Sequence, residues 1–238
     1  MRALTPQPTL VDQVYDAILS EITEGKYGPD SRLIQEQMAE SLGVSRQPVQ
    51  QALLLLRSHG LLVDAPGRGL MVAPLEADRV RNLYEVRAVL DGLASAKAAE
   101  RNRETAAEEG AAYITRGRAA VKSGSIARMI AADMDFHFFL YGLSGNPLVA
   151  EMSGAHWSYL RRVMGEVLLR GETPKDIWDQ HEAILECVSR GDAALAERIA
   201  RDHISEASDV LASRLAELAT RAPDPVPAPR RRRAVAAR

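Results

Sequence analysis

The chain has a single cysteine, no long apolar run and no dominant sign of charge, and each of these features excludes a class of protein. The 238 residues include one cysteine, Cys187, so an intramolecular disulfide framework is excluded and a reducing, cytoplasmic setting is expected. No apolar stretch approaches the roughly 20 residues of a membrane-spanning helix. A net charge of −2 argues against wholesale coating of nucleic acid but permits a local DNA-binding patch. The chain therefore has the composition of a soluble globular protein.

The N-terminal segment, residues 1–75, has the pattern of a winged helix-turn-helix. Apolar residues at helical spacing predict three helices, at Leu10–Glu24, Ile34–Ser41 and Arg46–His59. Two short apolar segments, LLV and LMV, follow on either side of DAPGRG. Gly67 and Gly69 suit the turn of a β-hairpin there.

Residues 76–220 show helical periodicity and predict an antiparallel bundle of about six helices with its own core. The segments SGS, SGNP, RGETP and RGD separate the helices. The predicted bounds are Glu76–Arg101, Glu104–Val121, Ser125–Leu143, Pro147–Leu169, Pro174–Ser189 and Asp192–Ala219. Residues 221–238, rich in proline, alanine and arginine, predict a disordered basic tail. The expected fold is mainly α, with the small hairpin as its β-structure.

The stretch LGVSRQPVQQAL predicts the turn and the recognition helix of the helix-turn-helix. Ser45 is placed to cap the helix. A recognition helix enters the major groove by its N-terminal end, so Ser45, Arg46, Gln47 and Gln50 are candidate DNA contacts. Glutamine suits the N6/N7 edge of adenine, and arginine suits phosphate or guanine.

Three further residues complete the predicted DNA interface. Arg68 and Gly69 lie at the wing tip, where the arginine can reach a minor groove or a phosphate. Arg32 precedes the second helix. The alternative is a winged helix that serves as a protein-interaction module.

Four residues of the predicted bundle have the chemistry of a metal site. Asp133 and His137 are four residues apart and share a helix face. His181 and His203 belong to two later helices. Imidazoles and a carboxylate that converge in a bundle can hold a divalent transition metal. Spacing alone leaves the alternative of ordinary core or surface histidines.

The segment RLIQEQMAESLGVSRQPVQQALLLLRSHGLLVDAPGRGLMV resembles the DNA-binding domain of the GntR family of bacterial regulators. The family pattern runs L-G-V-S-R-T-P-V-R-E-A-L and ends in a G-R-G wing. Gln47 stands where threonine is common, and Gln50 where a DNA-contacting arginine is usual. The resemblance implies binding to double-stranded operator DNA, and the two glutamines imply a different preferred operator.

The bundle resembles the FCD effector domain of the FadR subfamily, through D-x-x-F-H, then S-G-N-P, an H-x-x-I-L and a histidine in the last helix. The resemblance implies that Asp133, His137, His181 and His203 hold a metal. Zinc is the first candidate, with nickel or manganese as alternatives. Six rather than seven helices imply the VanR-like branch. Together the two resemblances cover residues 10–219.

An open position on such a metal would suit the carboxylate of a small organic acid, with an arginine to neutralise it. Arg87 is the first candidate because it matches the family's E-x-R position, and Arg161 and Arg162 are the others. The sequence thus predicts a ligand-responsive repressor. A homodimer is expected because helix-turn-helix proteins read paired half-sites.

Two other functions were compatible with the same residues. A metal-dependent hydrolase would need a general base near the metal, and no motif such as HExxH is present. A DNA-binding protein with a purely structural metal differs from a sensor in one observable. Its operator affinity would not respond to an organic acid.

Overall fold

The computed structural model describes residues 8–170 and 176–220, and this part of the chain contains nine helices and three short strands. The expected mainly α fold, a winged helix-turn-helix followed by a helical bundle, is confirmed. The predicted basic tail, 221–238, lies outside the described residues. Within the described part, no helix combines the length and the apolar character that crossing a membrane requires.

Three helices and a small sheet form the N-terminal unit. A capping box between Thr9 and Asp12 begins α1, and Gly43 ends α2 with a φ of 67°, which glycine adopts without strain. The predicted hairpin is present, and a two-residue strand that the sequence did not predict pairs antiparallel with its second strand. The sheet order is β1-β3-β2. The bounds are α1 Leu10–Thr23, β1 Arg32–Leu33, α2 Gln35–Leu42, α3 Arg46–Ser58, β2 Leu62–Asp64 and β3 Leu70–Val72.

Six helices follow in the described residues, each within a few positions of its predicted bounds. They are α4 Ala77–Arg101, α5 Arg103–Ser123, α6 Ile126–Leu143, α7 Pro147–Arg170, α8 Ile177–Arg190 and α9 Ala193–Thr220. The long α4 packs chiefly against α9, and α5 packs against α6 and α8. Cys187 is buried on α8, as expected of a structural thiol. These packings place α4, α6, α8 and α9 around one interior region.

The winged helix-turn-helix and the bundle share one hydrophobic core. Val14 and Ile18 of α1 belong to the same buried cluster as Leu160 and Val163 of α7. The two helices approach so closely that a Cβ on Gly165 would lie 2.6 Å from the carbonyl oxygen of Thr23. Only a glycine leaves room for this contact. The N-terminal unit is therefore packed onto α7 rather than tethered to it.

The link between β3 and α4 is also fixed to α7. The buried guanidinium of Arg162 donates to the carbonyl oxygen of Ala73. The backbone N–H of Glu76 donates to the hydroxyl of Tyr159 at 3.4 Å. Arg79 lies over the Tyr159 ring, 4.4 Å from its centroid. α7 thus contacts α1, the link between β3 and α4, and the interior of the bundle.

Candidate metal centre and nucleic-acid interface

The N-terminal part of α3 presents a polar surface, as expected of a recognition helix. Ser45, Arg46, Gln47 and Gln50 are all exposed, whereas Val49 is buried against the core. The predicted side-chain cap is wrong, because the Ser45 hydroxyl makes no capping hydrogen bond. That hydroxyl is therefore available to a phosphate oxygen.

Two further exposed residues extend this face of α3. Gln51 and Leu54 follow Gln47 at helical spacing, and Leu54 is 51% exposed despite its apolar side chain. Leu54 lies within a run of four leucines, a pattern that ordinarily predicts core residues, so its exposure could not be predicted from the sequence. An apolar side chain on a recognition helix can contact the methyl group of thymine.

Arg46 forms an ion pair with Glu36, at the start of α2. Both side chains are about two-thirds exposed, at 67% and 70%. Such surface pairs contribute only about 0–1 kcal/mol. The contact therefore orients Arg46 without preventing it from reaching a DNA phosphate.

The wing tip is an exposed loop with two glycines of positive φ, Gly67 at 91° and Gly69 at 90°. The Ala65 N–H donates to the Gly69 carbonyl at 3.0 Å and closes the loop. Arg68 lies exposed between the glycines. Arg32 donates to the wing carbonyls of Pro66 and Arg68. Its guanidinium therefore braces the wing, while Arg68 is the wing's exposed cation.

Three of the four residues predicted as metal ligands, the histidines, cluster inside the bundle, and the fourth, Asp133, lies beside two of them. His137 on α6, His181 on α8 and His203 on α9 are buried, and a ligand nitrogen of each lies within 4.8 Å of the others. Nε2 of His181 lies 3.1 Å from Nε2 of His203. Asp133 Oδ1 lies 3.8 Å from His137 Nε2 and 3.6 Å from His181 Nε2. Three nitrogens thus cluster together, and the Asp133 carboxylate lies beside two of them.

Two residues outside the predicted ligand set, Asp91 and Gln180, contact the imidazoles. Asp91 Oδ1 lies 2.6 Å from Nδ1 of His137, and the hydroxyl of Tyr141 donates to its other oxygen at 2.8 Å. Gln180 Oε1 lies 2.8 Å from Nδ1 of His203. The hydrogen bond from Gln180 to Nδ1 of His203 directs its Nε2 toward a metal, the usual arrangement around metal-binding histidines. Asp91 makes a close charge contact with His137 without hydrogen-bond geometry.

Aromatic packing positions the third imidazole. Phe136 stacks on His181 at a centroid distance of 4.4 Å, and Trp178 meets the ring edge-on at 4.7 Å. Trp178 reaches this position because Gly117 on α5 has no side chain; a Cβ there would lie 2.0 Å from the indole. The ring of His181 is therefore held by packing, since its Nδ1 has no hydrogen-bond partner among the described residues.

The protonation states favour a cation at this centre. Burial lowers the pKa of His137 and of His181 well below the usual value, and lowers that of His203 to about 3. Burial also raises the pKa of Asp133 to about 6, with Asp91 adding to the effect and Arg87 opposing it. At neutral pH the imidazoles are therefore neutral and Asp133 is ionised, the forms that bind metal.

These residues fit a divalent transition metal. Nε2 of His137 is buried and has no hydrogen-bond partner among the described residues. Such an unsatisfied nitrogen is costly unless something binds it. Three neutral imidazoles and one carboxylate form a donor set that suits zinc and its neighbours.

A cavity of about 530 Å³ adjoins the cluster, within the range of small-molecule sites. Asp133, His203 and Arg87 form its polar inner end, next to the hydroxyl of Tyr84. Arg87 is only 6% exposed, and its Nε and Nη2 have no hydrogen-bond partner in the described part of the chain. Its Nε lies 3.5 Å from Asp91. A buried guanidinium with unused donors can bind an anion.

The other two predicted effector-binding arginines are not brought to this cavity. Arg161 lies 3.6 Å from Asp16 of α1. Arg162 turns toward the Ala73 carbonyl, as described above. Arg162 lies on the side of α7 opposite Met164, whereas Arg161 shares the Met164 face but lies nearly one turn closer to the helix start, where it meets Asp16. Sequence spacing could not distinguish these faces of α7.

Both halves of the chain match known protein families. Residues 10–72 match the family described as bacterial regulatory proteins, gntR family, and residues 82–206 match the FCD domain. The chain is 29% identical over 182 residues to an HTH-type transcriptional regulator in an unstable DNA locus of Streptomyces ambofaciens, covering 76% of each chain. It is 23% identical to the HTH-type transcriptional repressor RspR of Escherichia coli K12, covering 87% of this chain and 90% of RspR.

Solved structures share the fold. McbR/YncC of E. coli superposes with a TM-score of 0.74 at 22% sequence identity, covering 87% of this chain and 99% of that protein. A regulator from Rhodococcus sp. RHA1 gives a TM-score of 0.71 at 19% identity, covering 85% of this chain and 97% of that protein.

Proposed function

This chain belongs to the gntR family of bacterial regulatory proteins and carries an FCD domain, and from that premise we propose that it is a homodimeric repressor released from its operator by an organic acid. The family consists of DNA-binding transcriptional regulators rather than enzymes. The observation that carries the proposal is the cavity in which the Arg87 guanidinium adjoins the histidine cluster.

The operator is read by the exposed face of α3. Gln47, Gln50 and Gln51 offer amide groups to base edges, and Leu54 offers an apolar contact. Arg46 provides a charged contact at the N-terminal end of the helix. This composition favours adenine and thymine at the contacted positions.

Asp133, His137, His181 and His203 would hold a divalent transition metal, with zinc the first candidate and nickel or manganese as alternatives. FCD domains bind metal in some regulators. The bound ion would supply a positive charge and an open position for an anionic oxygen. The chain contributes the fixed orientation of the imidazoles and a dry environment.

Arg87 would bind the carboxylate of the effector. Its Nη2 has no hydrogen-bond partner among the described residues, and its Nε has only the ion-pair contact with Asp91 at 3.5 Å, so the guanidinium retains donor capacity for a carboxylate. Trp157 covers the guanidinium at 4.3 Å from its ring centroid and Tyr84 lies beside it, so the charge is shielded from water. An anion bound here would give up its hydrating water and form an ion pair with the Arg87 guanidinium, which is strong because the site is buried.

α7 would carry the response from the cavity to the DNA-binding unit. Met164 and Val167 line the cavity. Gly165, between them in sequence, contacts Thr23 at the end of α1. A ligand that moves α7 therefore also moves the surface on which α1 packs. In a dimer, the two recognition helices would then no longer match the spacing of the DNA half-sites.

The homodimer would form through an apolar face of α4 and α7. Val86 and Val89 are 49% and 50% exposed, and Leu148 and Met152 on α7 are each 57% exposed. Contiguous exposed apolar side chains mark interaction surfaces, and a two-fold dimer would present two winged helices to paired half-sites.

Val89→Asp tests this interface, because a carboxylate buried between two copies would destabilise the dimer. Sedimentation equilibrium is expected to show a dissociation constant raised by at least a hundredfold. Leu10→Asp, an equally exposed change at 50% on α1, is the control and leaves the constant unchanged. A V89D protein that dimerises like the parent contradicts the assignment.

The effector proposal is tested by operator binding with and without organic acids. At least one acid is expected to weaken the affinity of the parent protein about tenfold or more. Arg87→Gln is expected to remove that response while metal content, measured by elemental analysis, is retained. If no acid in a broad panel changes the operator affinity, the metal is structural and the sensor proposal fails.

A further inference from the structure

The cavity beside the histidine cluster changes character along its length. Its inner end is polar and buried, with Arg87 and His203 in the wall. Its rim is exposed and charged, with Asp176, Glu206 and Arg214. The wall between the two ends is apolar and comes from five helices. It includes Met129, Ile130, Met164, Val167, Trp178 and Leu211.

The apolar wall is too extensive for a very small acid. A two- or three-carbon acid bound at Arg87 would leave most of the 530 Å³ and its apolar lining in contact with water. Pockets of this size bury ligands with a substantial body. Each methylene group of the ligand that is transferred from water to the cavity raises its binding affinity about fourfold. The apolar wall therefore favours a ligand with a hydrocarbon body.

The rim disfavours a second negative charge. Asp176 and Glu206 are acidic, and Arg214 is already 2.9 Å from Glu217. Glu206 accepts a hydrogen bond from Gln180, at 2.8 Å. Among the described rim residues, a second carboxylate would meet two acidic side chains and a single arginine, which Glu217 already contacts. The only cation among the described cavity residues that is both buried and short of hydrogen-bond partners is the inner Arg87.

From these observations we infer that the effector is an organic monocarboxylic acid with a ring or a medium-length alkyl chain as its body, and that the site rejects dicarboxylates of the same length. The inference rests on the proposed function, since it names the chemical class of the effector at that same cavity. The carboxylate binds at the inner end and the hydrocarbon body lies along α7 and α9.

A matched set of acids tests the inference on the full-length protein as purified. Octanoate and 3-phenylpropanoate supply an apolar body, propanoate lacks it, and octanedioate adds only the second carboxylate. Affinity is measured by isothermal titration calorimetry and by tryptophan fluorescence, because Trp178 lies in the cavity wall and Trp157 covers Arg87. The tighter of the two apolar monoacids is expected to bind at least tenfold more tightly than propanoate and at least tenfold more tightly than octanedioate.

A rim variant tests the second half of the inference. Asp176→Asn combined with Glu206→Gln is expected to reduce the preference for octanoate over octanedioate at least threefold, because the repulsion is removed. Glu151→Gln, an exposed acid on α7 outside the cavity, is the control and leaves the preference unchanged.

The possible failures are distinct. If propanoate or octanedioate binds as tightly as the apolar monoacids and weakens operator binding, the inference is overturned while the sensor function stands. If none of the four acids binds, the inference is overturned, and the sensor function then depends on the broader panel.

Discussion

Gly165→Ala is the sharpest perturbation of the contact between the bundle and the DNA-binding unit. The added Cβ would lie 2.6 Å from the Thr23 carbonyl oxygen and 2.7 Å from its Cγ2. Ordinary contact begins near 3.4 Å, so α1 and α7 must separate by about 0.8 Å. The backbone oxygen cannot rotate away as a flexible side chain would.

The stability change follows from two opposing effects. Overpacking of this kind costs about 1–3 kcal/mol. Alanine is better than glycine within a helix by about 0.5–1 kcal/mol. The difference is a net loss of about 0–2.5 kcal/mol, centred near 1 kcal/mol, and that central value lowers the Tm by roughly 2–4 °C for a chain of this length.

A control exists on the same helix. Gly154 lies about three turns earlier on α7, is exposed, and has no atom within 4 Å of a built Cβ. Gly154→Ala is therefore expected to raise stability by about 0.5–1 kcal/mol, through helix propensity alone.

The functional result separates a relay from a simple packing contact. Operator affinity, measured by fluorescence anisotropy with DNA selected from a random pool, is expected to fall about tenfold in Gly165→Ala and to respond less to the effector. Metal content is expected to stay at the parent value, since the substitution lies outside the histidine cluster. A variant with a lowered Tm but the parent's operator affinity and effector response would refute transmission through α7. A Tm raised as much as that of Gly154→Ala would refute the packing argument itself.

Three further predictions concern the site residues. Arg46→Ala is expected to weaken operator binding by about 1–3 kcal/mol and leave the Tm nearly unchanged, because its ion pair is exposed; an unaltered gel shift would contradict a DNA contact. His137→Ala combined with His181→Ala is expected to strip the metal, and stoichiometric metal in the purified variant would refute the assigned ligands. Metal affinity is expected to be constant above about pH 6 and to fall about tenfold per unit below it, because a proton competes for the Asp133 carboxylate, whose pKa is raised to about 6. Competition with a chromophoric chelator measures this slope, and a flat profile down to pH 5 would exclude that carboxylate from the metal.

The sequence predicted the elements well because their signals are local. Helical spacing of apolar residues and the glycine-containing turns located every helix of the described chain within a few residues. Strand β1 was missed because Arg32–Leu33 is too short to show alternation, and it exists only through pairing with β3. Its partner strand is distant in sequence, so no local pattern could indicate it.

The candidate site was predictable only in part. The metal-site prediction relied on a family motif; the structure clusters the three histidines, and Asp133 lies beside His137 and His181. Asp91 was missed because, one turn after Arg87, it resembles an ordinary surface ion pair until the helix is buried. Arg162 was predicted near the effector because its face on α7 could not be determined. Burial and helix orientation arise from tertiary packing, which a single sequence encodes only indirectly.

The core that α1 and α7 share limits how this protein can be recombined. A winged helix joined by a free linker can be transplanted between effector bundles with its surface intact. Here, separation would expose Val14 and Ile18 together with the apolar side of α7. A functional chimera of this regulator must therefore exchange α1 and α7 as a matched pair. The smallest unit that can be transplanted then includes their interface as well as the DNA-binding domain.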